Sequence, residues 1–259
     1  NKGIVPVAGE SIGAPEKYGS DRFFIYLRLS GDENLLLDRQ VAALEANGHP
    51  VAQIDLRSKH DIGQEFFRWE FAVAAAGAAI GIQPFNQPDV QLAKDLAKQA
   101  MSESGAGAAK LKDEAAADSA DLNKKVGAWL AKKKARDYVV VQAYIEPSRD
   151  NGAKLRAICA ALQTRLGAAT TLGFGPRFLH STGQLHKGGP NSALVLQIVD
   201  QPADNLVVPE TNYTFDALIA AQAIGDFTAL KQRRRRVLRV NLGGDAAGGL
   251  QHLLSAIEA

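Results

Sequence analysis

Cysteine is almost missing from this sequence. Cys159 is the only one among 259 residues, which excludes an intrachain disulfide and fits a reducing compartment. Its setting, Arg156-Ala-Ile-Cys159-Ala-Ala, reads as a small apolar residue on a helix face, with no neighbour that would lower the thiol pKa. An excess of one charge is also missing. Thirty basic residues stand against 28 acidic ones, so the global balance carries no nucleic-acid signature. No apolar run is long enough to span a bilayer. The longest, Phe71–Ile82, is short and rich in Ala and Gly, and reads as a buried core helix. No signal peptide is expected. The five histidines and the lone cysteine show no tight metal-ligand spacing, so no metal site is expected. Neither a Walker loop nor a dinucleotide fingerprint occurs, so no nucleotide cofactor is expected. The opening Asn1-Lys-Gly-Ile-Val-Pro-Val reads as interior sequence, and a fragment or processed chain is the expectation.

What is there is an alternation of strand and helix signals. Phe23–Leu29 is β-branched and aromatic and reads as a strand. Asp32–Asn47 has helical spacing and stops at Asn47-Gly48. Pro50–Leu56 reads as a second strand, and Asp61 opens a helix that runs to Ile80. A turn with Pro84 and Pro88 precedes a helix that carries Lys94. After a change in composition the rhythm returns: strands at Tyr138–Tyr144, Ser192–Val199 and Arg236–Leu242, with helices at Arg149–Ala168, Thr214–Leu230 and Asp245–Ile257. Buried strands alternating with helices predict an α/β fold with parallel sheets. The expected organisation is one lobe over 1–102, an Ala/Lys-rich linker and solvated helix over 103–135, and a second α/β lobe over 136–259.

Two segments could carry chemistry. In Leu172–Gly189, a helix from about Phe178 would place His180, Gln184 and Lys187 on one face. Arg177, Ser181 and Thr182 add donors, and the flanking glycines would let a ligand approach the backbone. An imidazole, an amide and an ammonium together suit a polyhydroxylated, anionic ligand, and the imidazole could move protons. The plainer alternative is a polar surface helix with solvated histidines. In the second segment, Asn86–Lys94, a turn brings Gln87 to the mouth of a helix and Lys94 lies about two turns in. That pattern also fits an ordinary proline-started helix with an exposed lysine. The run Arg233-Arg-Arg-Arg236 has no aromatic stacking platform beside it and reads as solvated rather than nucleic-acid binding.

Both segments resemble glucose-6-phosphate isomerase. Pro84-Phe85-Asn86-Gln87-Pro88 with Lys94 after it is similar to that family's Asn-Pro-Phe-Asp-Gln-Pro-x-Val-Glu-x-x-Lys signature. Gln83, Asn86 and Gln91 stand where the family has Asn, Asp and Glu. Glu65-Phe-Phe-Arg-Trp-Glu-Phe-Ala-Val-Ala resembles the helix before it, and Lys2-Gly-Ile-Val-Pro-Val resembles the stretch immediately after the family's Glu-Ser-x-Gly-Lys motif. His180-Ser-Thr-Gly-Gln184 matches the family's His-Ser-x-x-Gln pattern, although in most relatives that histidine precedes the lysine signature and here it comes later. With Tyr213-Thr-Phe215 and Ala220–Asp226, the whole pattern is most similar to the isomerase half of fused transaldolase–glucose-6-phosphate isomerase proteins.

The resemblance implies a sugar-isomerase (SIS-like) α/β lobe and then a second α/β lobe, a cytoplasmic location, no cofactor and an oligomer. It implies Lys94 and His180 as catalytic residues in ring opening or in holding the ring hydroxyls. Gln87, Ser181, Gln184, Arg177 and Lys187 are the substrate-binding candidates. The family's catalytic glutamate, phosphate loop and arginine would lie before Asn1, so the isolated chain is expected to be incomplete and nearly inactive. A non-catalytic module that binds sugar phosphate or mediates assembly is the alternative.

Overall fold

The computed structural model describes residues 2–104, 111, 113–201 and 206–259. They form two compact units, one of Ser11–Pro84 and one of the residues before Ser11 together with those from Phe85 on.

In the smaller unit, β1 (Phe24–Leu29) and β2 (Val51–Leu56) pair in parallel with Phe24 opposite Val51. Between them lies α1 (Leu35–Ala46), closed at Asn47 and released by Gly48 at φ +80°, a left-handed value that glycine adopts without a Cβ penalty. One face of β1 meets α1 through polar contacts. Tyr26 Oη donates to Asp38 Oδ1 at 2.9 Å, and the Arg28 guanidinium reaches both Asp38 oxygens at 2.9 and 3.1 Å. The guanidinium holds the Asp38 carboxyl below its ordinary range.

The long helix α2 (Ile62–Ile80) forms where expected, but it is not a core helix. Only Glu65 and Gly77 are buried on it, while Phe66, Phe67 and Phe71 are 64%, 72% and 69% exposed. Apolar composition says that a helix would leave water if it could. It does not say that the same chain supplies the covering surface. Ile25, Leu27, Leu35 and Leu36 are exposed as well, so this unit carries a larger apolar surface than scattered surface residues would make.

The larger unit is built on a five-stranded sheet in the order β3-β7-β6-β4-β5, parallel throughout. Its elements in chain order are α3 (Pro88–Ser104), β3 (Glu114–Ala116), α4 (Leu122–Leu130), β4 (Tyr138–Tyr144), α5 (Arg149–Leu166), β5 (Thr170–Phe174), α6 (Gly183–Gly188), β6 (Ala193–Val199), α7 (Phe215–Gln232), β7 (Arg236–Asn241) and α8 (Ala246–Glu258). Every residue of β4 and β6 is buried, as continuous apolar strands covered on both faces must be. Val139, Val141, Leu194, Leu196 and Val240 pack with Leu155, Ile158, Leu250 and Leu253 on one face. On the other, Tyr138, Val140 and Val195 meet Leu230 of α7. Side-chain caps start α5, α7 and α8: Ser148 accepts from Asn151 N–H, Thr214 from Ala217 N–H and Asp245 from Gly248 N–H. Each satisfies a donor the helix cannot.

The α/β class with parallel sheets is therefore present, and the division of the chain is not the one the sequence suggested. The boundary expected at 102 moves to 84/85, because α3 packs on α7 through Ala93, Ala97 and Gly225. The segment expected as a linker and solvated helix over 103–135 contributes an edge strand and one buried helix face to the core. Residues 105–110 and 112 lie outside the described ones. Of the rest, β3 pairs with β7, and α4 buries Leu122, Val126, Trp129 and Leu130. Those four apolar positions, scattered among lysines, are one helix face. Among the described residues no helix is long and apolar enough to cross a membrane.

Candidate functional site

The segment around His180 is not the single helix that its spacing suggested. A short 3-10 turn covers Arg177–His180, Ser181 leaves helical geometry, and α6 starts only at Gly183. The turn comes after β5 through a cis peptide at Gly175-Pro176. Gln184 is thereby turned to Asp89, while His180 and Lys187 stay beside one cavity. Nor do the nearby glycines make room for a ligand. A Cβ on Gly175 would overlap the Tyr144 ring, and one on Gly173 would lie 2.8 Å from Phe178 Cβ. These glycines allow Tyr144 and Phe178 to pack, with ring centroids 5.6 Å apart.

Gln184 is a structural clamp. Its Oε1 accepts from Asp89 N–H at 2.8 Å and its Nε2 donates to the Asp89 carboxylate at 2.7 Å. Arg233 pairs with the same carboxylate at 2.5 Å. Both fix the first turn of α3, where a carboxylate is also favoured by the helix dipole. Two more arginines of the run are engaged. Arg235 donates to the Lys187 and Gly189 carbonyls, and Arg236 to Asp137. Three of the four arginines expected to be solvated instead tie α6, α3 and the β4 approach to the strand after them, while Arg234 is exposed.

Beside Gln184, His186 is buried between two hydroxyls. Tyr138 Oη lies 3.0 Å from its Nδ1, and Thr182 Oγ1 lies 2.9 Å from its Nε2. Burial, aided by the Lys187 charge, pushes its pKa down to about 3, so the ring is neutral near pH 7 and serves as an internal hydrogen-bond bridge. Lys187, next along α6, is fully buried against Asp226 of α7 with Nζ 2.5 Å from Oδ1. Desolvation and then the Asp226 charge raise the facing Tyr144 phenol well above its ordinary value.

Lys94 and His180 come together. Both line a cavity of about 490 Å³ formed by α3, the Pro176–His180 turn, α6 and α7, a size that takes a small organic ligand. The α3 wall is Val90, Ala93, Lys94, Ala97, Lys98 and Met101, one helical stripe at three- and four-residue steps. Leu179 and Pro176 come from the turn, Lys187 from α6, and Leu218, Ala221 and Gln222 from α7, with Tyr213 just before it. The walls are largely apolar, and the described lining residues include no carboxylate.

Of the residues singled out in the sequence, Lys94, His180 and Lys187 reach the cavity, and Lys187 does so already paired. Gln87 and Arg177 are exposed and do not line it. Ser181 Oγ donates to the Phe178 carbonyl at 3.1 Å, and Gln184 is held by Asp89. Lys98, Tyr213, Gln222 and Asp226 went unnoticed as site residues. The signal for Lys98 was its position one turn beyond Lys94. Asp226 could not be found from pattern, since its partner lies on another helix. Among the described residues no group of His, Cys, Asp and Glu could hold a metal ion.

No protein-family model and no curated protein match this chain. Among solved structures it is similar to a hypothetical protein from Thermus thermophilus, at 16% identity and a TM-score of 0.43, over 91% of this chain and 77% of that one. A likeness of that degree carries no argument about function.

Proposed function

We propose that the chain is part of a cytoplasmic enzyme that interconverts glucose 6-phosphate and fructose 6-phosphate, the isomerase portion of a transaldolase fusion that works as an oligomer. One observation carries the reading. Lys94 and His180, marked by separate segments with separate resemblances to glucose-6-phosphate isomerase, line the same cavity. An aldose–ketose isomerase must open the sugar ring by proton transfer, remove a carbon-bound proton and stabilise the enediolate. An ammonium and an imidazole on one cavity suit the first task. The second needs a base, and the described lining residues offer no carboxylate, so this chain by itself is expected to turn over little.

Assayed on the gene product that contains the chain, conversion of fructose 6-phosphate is expected to fall about 10²-fold or more in Lys94→Ala and in His180→Ala. Turnover unchanged in both would sink the isomerase reading.

The second reading is a non-catalytic module that binds a sugar phosphate. The lack of a carboxylate on the described lining favours it. It predicts binding without turnover in any context.

A further inference from the structure

On the largely apolar walls of the cavity, a few placed polar groups fix the orientation of a ligand. Gln222 of α7 is one of them. Its Oε1 is buried and accepts no hydrogen bond from a described residue, a costly state for an amide oxygen unless something else supplies the donor. Asp226 stands four residues on, along the same face of α7, and its Oδ1 holds Lys187 Nζ at 2.5 Å. That ammonium has three donors and one acceptor among the described residues. It lies close behind the cavity wall. The place of a Cβ on Gly183 is 3.3 Å from Nζ and 3.7 Å from Cδ2 of Leu179, which lines the cavity as Lys187 does. Gly183, having no side chain, leaves that approach open. A buried ion pair is also a costly way to hold α6 on α7, since apolar residues of the same volume often hold as well. An acceptor without a donor and a donor with spare hydrogens match a group that gives and takes hydrogen bonds at once. A hydroxyl does both, whereas the oxygens of a phosphate dianion only accept.

We infer that Gln222 and Lys187 together bind one hydroxyl of a polyhydroxylated ligand, with the Gln222 amide accepting its proton and Lys187 Nζ donating to its oxygen. Asp226 is the positioning residue that holds the ammonium there and cancels its charge, so the subsite reads a hydroxyl and not an anion. Lys94 and His180 keep the proton transfers of ring opening, and the phosphate is left to groups outside this wall. The inference rests on the reading of the cavity as a sugar-phosphate site, catalytic or not.

The test is calorimetric titration of the chain, of Gln222→Leu and of the paired variant Lys187→Met with Asp226→Leu. The ligands are glucose 6-phosphate and its singly deoxygenated analogues, each lacking one ring hydroxyl. A site built to bond a hydroxyl rejects the analogue without it, so the parent should bind one analogue about tenfold more weakly than the intact ligand. Gln222→Leu should bind glucose 6-phosphate about tenfold more weakly than the parent does, and should no longer distinguish it from that analogue. The paired variant, which leaves no buried charge unpartnered, should behave in the same way, and Gln222→Leu decides alone if the paired variant does not fold. A merely structural glutamine would weaken the intact ligand and every analogue by the same factor, and that result would overturn the inference. Parent-like binding of glucose 6-phosphate to Gln222→Leu would overturn it too and leave the sugar-phosphate reading standing. Failure of the parent chain to bind glucose 6-phosphate would overturn both.

Discussion

Replacing Asp226 by Ala is expected to destabilise the larger unit by about 3–5 kcal/mol, the usual loss when one partner of a buried ion pair is removed. Both side chains are fully buried and Nζ lies 2.5 Å from Oδ1. Without the carboxylate, an ammonium would remain desolvated between α6 and α7 with nothing to neutralise it. The loss comes from that orphaned charge rather than from the pair's own net contribution, which desolvation largely cancels. The double replacement Lys187→Met with Asp226→Leu should therefore recover most of the stability that the single change loses. Chemical unfolding of the three proteins, read as midpoints at a common slope, measures it. A double variant as unstable as Asp226→Ala would show that packing, not charge, dominates this site.

The second large effect is expected at Gly225. A Cβ there would lie 2.6 Å from the Ala93 carbonyl oxygen and 2.7 Å from the Ala97 nitrogen, both backbone atoms of α3 that cannot rotate away. Gly225→Val must push α3 off α7, at a cost of about 1–3 kcal/mol or more for the forced overpacking. Because α3 carries Lys94 and Lys98, ligand affinity should fall along with the melting temperature. A helix interior without such contact behaves in the opposite way. Gly127 of α4 has nothing within 4 Å of its would-be Cβ, so Gly127→Ala should gain about 0.5–1 kcal/mol. Thermal unfolding of both variants decides the matter: equal shifts of the same sign would show that the α3–α7 approach is not what requires the glycine.

These two sites show what the sequence could and could not reveal. Strands β1, β2, β4, β6 and β7 and helices α1, α2, α3, α5, α7 and α8 were legible, because long apolar periodicities and end signals such as Asn47-Gly48 are local properties. Strand β3, with the sequence Glu-Ala-Ala, was not legible. Nothing intrinsic to those residues favours a strand, and the edge of β7 imposes it. Strand β5 was lost between a helix and a polar segment, with Gly173 weakening its signal. Helix α4 looked solvated because its four core residues are outnumbered by lysines and small residues nearby. The exposed aromatics of α2 are the reverse case, apolar sequence without a covering partner among the described residues.

The candidate site divides in the same way. Lys94 and His180 were readable from motifs. The division of labour within Phe178–Gly189 was not, because the helix breaks at Ser181, and that break sends Gln184 to Asp89 and Lys187 to Asp226. His186, the bridge between Tyr138 and Thr182, had no sequence signal separating it from a solvated histidine.

The central claim is that Lys94 and His180 serve one ligand in one cavity, and the affinity of the chain for glucose 6-phosphate tests it most directly. Both side chains are exposed, so Lys94→Ala and His180→Ala should leave the unfolding midpoint in place. Each change is expected to weaken binding about tenfold or more. Loss in only one of the two variants, or in neither, would contradict the claim.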